Sequence, residues 1–98
     1  MVAYVIVEVS IADEEQYEKY KPLASASIAA HGGTYKARGG AAESLEGEAV
    51  AGRVVIIEFP DLERARRWYH SEEYGEALQL RRGAAQSRMF VVDGYEPL

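Results

Sequence analysis

The sequence contains no cysteine. This absence excludes disulfide bridges, thiolate catalysis and cysteine-ligated iron–sulfur clusters, because each of them needs a thiol. Histidine is scarce as well: the only two, His31 and His70, are far apart in the sequence. A metal site would need both to converge with carboxylates, whereas each closes a predicted helical stretch. We therefore predict helix-end or surface roles for both histidines, no metal site and no cofactor.

The sequence also lacks a surplus of basic residues and any long hydrophobic run. Its formal net charge is −5, which argues against nucleic acid and against an anionic membrane surface as partners. No apolar run is long enough to span a bilayer. The N-terminal stretch has neither the basic start nor the long apolar core of a signal peptide, and Glu8 interrupts it. We therefore expect a cytoplasmic protein.

What the chain does have is the composition of a folded domain, since 48% of its 98 residues are hydrophobic and 28% are charged. Asp13, Asp61 and Ser71 are typical helix N-caps. Pro22 inside the first helix predicts a kink or a restart, and Gly83 predicts the end of the last helical stretch. The predicted strands span 2–9, 34–38, 53–59 and 87–92; the predicted helices span 13–32, 61–70 and 72–82; a loop spans 39–52.

This order, β-α-β-β-α-β, is that of the ferredoxin-like α+β fold, in which one antiparallel sheet carries its helices on one face. A short internal repeat supports it, because the segment 5–9 (VIVEV) resembles the segment 55–59 (VIIEF). We therefore assign residues 1–98 to a single ferredoxin-like domain.

The strand sequences predict a homodimer. Side chains alternate between the two faces of a strand, so one face of the sheet lies under the helices and the other is expected to be wet. That second face nevertheless carries the apolar residues Tyr4, Ile6, Val54 and Ile56. A large exposed apolar face ordinarily marks an interface. Two copies joined sheet to sheet about a twofold axis would cover it.

Several short motifs are spread along nearly the whole chain. They are YEKY (17–20), GGTYKARGG (32–40), LEG (45–47), RVVIIEFP (53–60), Ala65 with Trp68-Tyr69, and Ser71 with Glu73-Tyr74. Together they resemble the domain-of-unknown-function 1330 family, within the dimeric α/β-barrel superfamily. The resemblance implies a dimeric α/β barrel in which two sheets join, with the helices outside and a cleft between helices and sheet in each subunit.

Relatives on this scaffold include cofactor-free monooxygenases, lactone isomerases, and haem-binding or haem-degrading enzymes. The haem degraders resemble one another in a strand asparagine and a helical histidine. This chain has no asparagine, although His70 lies in the second helical region. The resemblance implies a scaffold and leaves the reaction open.

The candidate catalytic residues are Arg38 and Glu58. Arg38 precedes two glycines that would let a ligand approach the backbone, and a fixed guanidinium there suits a carboxylate or an enolate. Glu58 is a charged residue within an apolar strand, where a carboxyl is a candidate general acid or base. The alternative is structural: Glu58 or Glu8 would form an ion pair with an arginine of the neighbouring strands, namely Arg38, Arg53 or Arg88.

Aromatic residues on the helices are candidates for lining the cleft, although core packing is the alternative for most of them. The arginines of the second helical region, Arg81 among them, are interpreted as a solvated face. The predicted ligand-binding residues are Tyr20, Tyr35, Arg38, Trp68, Tyr69 and Tyr74.

Three functions fit these residues. The first is a cofactor-free enzyme, monooxygenase-like or isomerase-like, in which Arg38 holds an anionic oxygen and a tyrosine or Glu58 transfers a proton. The second is a non-catalytic dimer that binds a small molecule in the same cleft. The third is a haem-binding protein.

Overall fold

The computed structural model describes residues 1–97, in which one antiparallel sheet carries three helices on a single face. The sheet has the strand order β2-β3-β1-β4. The predicted order of elements and the α+β ferredoxin-like class are therefore confirmed. In chain order the elements are β1 (Ala3–Ile11), α1 (Glu14–Ala30), β2 (Thr34–Arg38), β3 (Arg53–Phe59), α2 (Leu62–Tyr69), α3 (Glu72–Ala84) and β4 (Ala85–Asp93).

All three helices begin at the caps that the sequence predicts. The side chains of Asp13, Asp61 and Ser71 accept hydrogen bonds from the backbone N–H three residues further on, at 3.1, 2.7 and 3.2 Å. Each cap satisfies one of the N–H groups that the first turn of a helix leaves without a partner. His31 and His70 occupy the C-caps of α1 and α2, which agrees with the helix-end role predicted for both.

Pro22 and Gly83 both lie inside continuous helices, so the restart that was one possibility at Pro22 is absent and the last helix ends later than Gly83. α1 runs through Pro22 as one helix, because this proline lies on the exposed side and the carbonyl that it deprives of a donor belongs to the exposed residue Glu18. α3 likewise runs past Gly83 to Ala84. A Cβ at position 83 would lie 2.7 Å from Nε2 of Gln16, so this glycine makes room for a side chain of α1.

The two strands of the internal repeat lie side by side at the centre of the sheet. β1 and β3 pair in antiparallel register with Ile6 opposite Ile56, and these two residues are equivalent positions of the repeat. Alternate residues of both strands are buried under the helices, as predicted. The sheet residues of this core are Ala3, Val5, Val7, Val9, Val55, Ile57 and Phe59.

The other side of the sheet, here called the outer face, is largely apolar and carries no helix within residues 1–97. Its edge strand exposes 41% of Phe90 and 45% of Val92. Ion pairs border it, with 3.7 Å between Arg88 and Glu8. We define the outer face by Tyr4, Ile6, Val54, Ile56, Phe90 and Val92.

Within the described part of the chain, none of the helices combines the length and the apolar character needed to traverse a lipid bilayer.

Candidate functional site

A cleft lies between α1 and the half of the sheet that ends at β2. It encloses about 30 Å³ of free space, room for about two water molecules, and it measures about 430 Å³ when its open mouth is included. Four of the six predicted ligand-binding residues line it. These four are Tyr20, Tyr35, Arg38 and Trp68.

Hydroxyl groups of α1 fix the orientation of the cleft residues. Ser25 Oγ lies 3.2 Å from the hydroxyl of Tyr35 and accepts a hydrogen bond from Arg38 Nη2 at 3.1 Å. The guanidinium of Arg38 also lies over the Tyr35 ring, 4.4 Å from its centroid. Deeper in the molecule, Trp68 Nε1 donates to Ser27 Oγ at 2.9 Å. These bonds hold the end of β2 and the indole of α2 against the same helix.

The hydroxyls of Tyr17 and Tyr20 have a raised pKa and stay protonated at neutral pH. Burial raises the pKa of Tyr20, and the neighbouring Tyr74, whose hydroxyl lies 3.0 Å away, raises it further. Burial also raises the pKa of Tyr17, against the opposing effect of the positive charges on Arg53 and Arg81. A tyrosine in this state donates a hydrogen bond, but at neutral pH it is a weak acid and a poor base.

The cleft holds an excess of positive charge. Arg38, Arg53 and Arg81 all line it, and none of the ion pairs formed within residues 1–97 involves any of them. Lys21 lies at the mouth and is paired with Glu18 at 2.8 Å. The lining of the cleft contains no carboxylate and no histidine among the described residues.

The interpretation of Arg81 as part of a solvated face is wrong. Arg81 is only 7% exposed, because it follows Tyr74, Ala77 and Leu78 on the buried stripe of α3. Its Nε atom is buried without a hydrogen-bond partner, and so is the Nε atom of Arg53. The helical spacing from Tyr74 is the signal that would have identified Arg81 in the sequence.

Gly39 makes room for an arginine of the protein itself. The interpretation from the sequence was that the glycines after Arg38 let a ligand approach the backbone. In the structure a Cβ at position 39 would lie 2.6 Å from Cζ of Arg53, and Gly39 has a φ of +76°. The left-handed conformation and the close guanidinium both favour glycine there.

Glu58 does not reach the cleft. Strand alternation turns its side chain to the outer face, where it lies 3.9 Å from Lys36 Nζ, while Arg38 lies opposite Val55 on the helix side. The predicted alternative of an Arg38–Glu58 ion pair is therefore wrong, whereas the predicted pairing of Glu8 with Arg88 is observed.

The two remaining predicted ligand-binding residues lie elsewhere. Tyr74 is fully buried behind Tyr20 and supports the cleft wall without lining it. Tyr69 lines a second hollow, the groove between α2 and β4, which has about 220 Å³ of free space. The exposed His70 lies at this groove, and Trp68 forms part of the wall of both hollows. Within residues 1–97, no three metal-ligating side chains come together.

Comparison with known proteins adds a family and a fold. The family model described as "Domain of unknown function (DUF1330)" matches residues 2–95. Among curated proteins, none matches the sequence.

Solved structures show the same fold at low sequence identity. The protein RPA0582 of unknown function from Rhodopseudomonas palustris superimposes with a TM-score of 0.79 at 19% identity, covering 98% of this chain and 84% of that one. SnoaB from Streptomyces nogalater, a cofactor-independent oxygenase, superimposes with a TM-score of 0.66 at 15% identity, covering 99% of this chain and 95% of that one.

Proposed function

We propose that this chain, which belongs to the DUF1330 family, binds a small organic molecule in the cleft and acts on it without a cofactor, as an isomerase-like or oxygenase-like enzyme. The observation that carries the proposal is the convergence of Tyr20, Tyr35, Arg38 and Trp68, from three different elements, on one hollow. Ligand sites are typically concave, aromatic-walled and equipped with a few polar groups that converge on them.

Ligand entry requires the mouth of the cleft to open, since the enclosed space holds only about two water molecules. The side chains at the mouth are suited to this movement. Arg38 is exposed and Lys21 is partly exposed, and both are long chains whose rotation leaves the core in place. A ligand oxygen would take the place of Ser25 Oγ as the acceptor for Arg38.

The chemistry that these residues support is stabilisation of negative charge combined with hydrogen-bond donation. Arg38 would hold an anionic oxygen of the ligand, and a protonated tyrosine would donate a hydrogen bond to a developing enolate. The described lining supplies no carboxylate or histidine as a base, so water at the mouth would remove the substrate proton. In an isomerisation water would return a proton to another carbon; in an oxygenation dioxygen would oxidise the enolate, with one oxygen atom entering the product and the other leaving as water. The fold shared with the oxygenase SnoaB supports the second reaction as compatible with the scaffold.

A binding protein without turnover is the second candidate function. It is favoured by the composition of the cleft, whose described lining contains no carboxylate and no histidine that would act as a general base. The same ligand would then bind, and no product would form.

The chain is further proposed to work as a homodimer through the outer face. A central row across that face consists of Ile6, Ile56 and Phe90, and burial of such a row removes apolar surface from water. Glu8 and Arg88 flank this row with opposite charges. About a twofold axis, Glu8 of one copy can lie against Arg88 of the other.

The proposed function is tested by blocking the cleft. A library of neutral and charged aromatic fragments is titrated while the amide NMR shifts of cleft residues are followed. Ala24 is buried and lines the cleft, so Ala24→Met fills the free space; Ala26→Met places the same side chain on the exposed side of α1. We expect to find fragments that bind both the wild type and Ala26→Met. The same fragments should bind Ala24→Met at least ten-fold more weakly. The absence of any fragment that shifts cleft residues would contradict the proposal.

Turnover separates the two candidate functions. The fragments that bind are incubated with the protein, and dioxygen consumption and product formation are followed. Conversion that Ala24→Met abolishes identifies the enzyme; tight binding of the same compounds without conversion identifies the binding protein.

A further inference from the structure

We infer that the ligand of the cleft is a small planar organic carboxylate, and that Arg81 and Arg53 hold its charged group. This inference rests on the proposed function, since it specifies which class of molecule occupies the same cleft. It assigns a binding role to two arginines on different elements, α3 and β3.

The first observation is a buried positive charge without a negative partner. Arg81 is 7% exposed, and its Nε atom makes no hydrogen bond. Charged side chains are seldom buried unless they are paired and hydrogen-bonded, because the loss of hydration is otherwise uncompensated. No carboxylate within residues 1–97 forms an ion pair with Arg81. A carboxylate of the ligand would supply the missing partner.

The second observation is a further arginine on β3 that is only partly satisfied. Arg53 is half-buried and forms no ion pair within residues 1–97; its Nε atom is buried without a partner, while its Nη2 donates to the carbonyl oxygen of Arg38 at 3.5 Å. The absence of a side chain at Gly39 leaves space for its guanidinium. Two cations on one small hollow repel each other in a medium of reduced dielectric constant. An anion between them replaces this repulsion with two attractions.

No negative group within residues 1–97 forms an ion pair with Arg81. Arg81 lies in the last turn of α3, where the helix dipole favours a cation, but this leaves its buried Nε atom without an acceptor. Glu18 is exposed at the mouth, where its carboxylate is bound to Lys21 at 2.8 Å. The cleft beside Arg81 therefore retains its positive charge.

The small size of the cleft favours a planar carboxylate. A guanidinium presents parallel N–H donors that match the oxygens of a carboxylate or a phosphate, but the enclosed space of about 30 Å³ favours the smaller, flat group. The remaining walls are aromatic or aliphatic, with Tyr17, Tyr20 and Trp68 among them, and they suit a flat apolar body. A phosphate ester shares the oxyanion chemistry but has a tetrahedral charged group.

The experiment compares benzoate with its neutral isostere benzamide by isothermal titration calorimetry at low ionic strength. Phenyl phosphate tests the tetrahedral anion, and acetate tests the carboxylate without the flat body. We expect benzoate to bind at least ten-fold more tightly than each of the other three probes. The charge is removed by Arg81→Met, which keeps an unbranched apolar stem, and Arg82→Met changes the exposed neighbour on the same helix as the matched control.

Arg81→Met is expected to weaken benzoate binding at least 30-fold, and Arg82→Met to change it less than two-fold. Arg53→Met provides an independent second variant on β3, with an expected loss of at least ten-fold. Equal binding of benzoate and benzamide in the cleft would overturn the inference while leaving the proposed function intact. Preferential binding of phenyl phosphate would overturn the assignment to a carboxylate.

Thermal unfolding without ligand gives a readout that a purely structural arginine would not produce. Removal of an unpaired buried charge should leave the melting temperature of Arg81→Met equal to or above that of the wild type. Saturating benzoate should raise the melting temperature of the wild type and of Arg82→Met but not of Arg81→Met. A markedly lower melting temperature of ligand-free Arg81→Met would show a structural role and overturn the inference.

Discussion

Gly39, directly after β2, has a left-handed backbone conformation and leaves space for the charged side chain of Arg53. Its φ is +76°, and an added Cβ would lie 2.6 Å from Cζ of Arg53. We expect Gly39→Ala to destabilise the protein by about 1–2 kcal/mol, the ordinary strain of an alanine in the left-handed region. We also expect it to displace Arg53 and to weaken benzoate binding. Urea unfolding and calorimetry measure the two effects.

The neighbouring glycine provides the control. Gly40 has no heavy atom within 4 Å of an added Cβ, so Gly40→Ala should change the free energy of unfolding by less than about 0.5 kcal/mol and leave binding unchanged. Equal effects of the two substitutions would show that the Arg53 contact plays no part.

Side-chain chemistry at single positions was only partly predictable from the sequence. Arg38, Tyr20 and Tyr35 were identified because they belong to polar or aromatic motifs near predicted ends of elements. Arg81 was missed because arginine on a helix is usually solvated, and only its place on a buried stripe distinguishes it from Arg82. Glu58 was misassigned to the cleft although strand alternation places it on the outer face.

α1 forms one side of the cleft and carries a proline in its interior. Pro22 is exposed in the middle of the helix. We expect Pro22→Ala to stabilise the protein by about 1–2 kcal/mol, since it restores a backbone donor to the carbonyl of Glu18, partly offset by the greater freedom of the unfolded chain. Chemical denaturation measures the change.

Leu23→Ala is the control at the next position, because Leu23 is 40% exposed and both residues favour helix. Its effect should be small. A Pro22→Ala variant that is no more stable than the wild type would show that α1 already satisfies the Glu18 carbonyl by other means.

Elements were predicted well where local chemistry dominates. The caps and the glycine pair after α1 fix the helix starts and one helix end. β2 and β3 span the predicted residues, and in β3 a run of Val and Ile accounts for this. α1 does not restart at Pro22, and α3 continues through Gly83 to Ala84, since tertiary surroundings decide whether a residue that disfavours helix interrupts one. Gly83 is retained within α3 next to Gln16 of α1, a contact that the sequence does not encode locally.

The whole molecule has helices on one face of its sheet and an apolar outer face on the other. The proposed homodimer follows from this arrangement. Among the residues of the outer face, Phe90 on the edge strand is 41% exposed, and only Val92 is more exposed, at 45%. We expect Phe90→Glu to convert a dimer, of twice the 10.9 kDa chain mass, into a monomer, because a carboxylate would be buried in an apolar interface. Size-exclusion chromatography with light scattering measures the mass.

Leu23→Glu is the matched control, since Leu23 is similarly exposed but lies on the helical layer. It should leave the mass unchanged. A wild-type protein that is monomeric at micromolar concentration would contradict the dimer, as would a dimer unaffected by Phe90→Glu.

Trp68, the only tryptophan in the chain, is 1% exposed and forms part of the wall of both the cleft and the groove. The molecule therefore carries an intrinsic fluorophore at the boundary between its two hollows. The indole is shielded from water, so we expect its emission toward the blue and a shift to the red when the fold is lost. One unlabelled signal thus follows the unfolding of the wall that the cleft and the groove share.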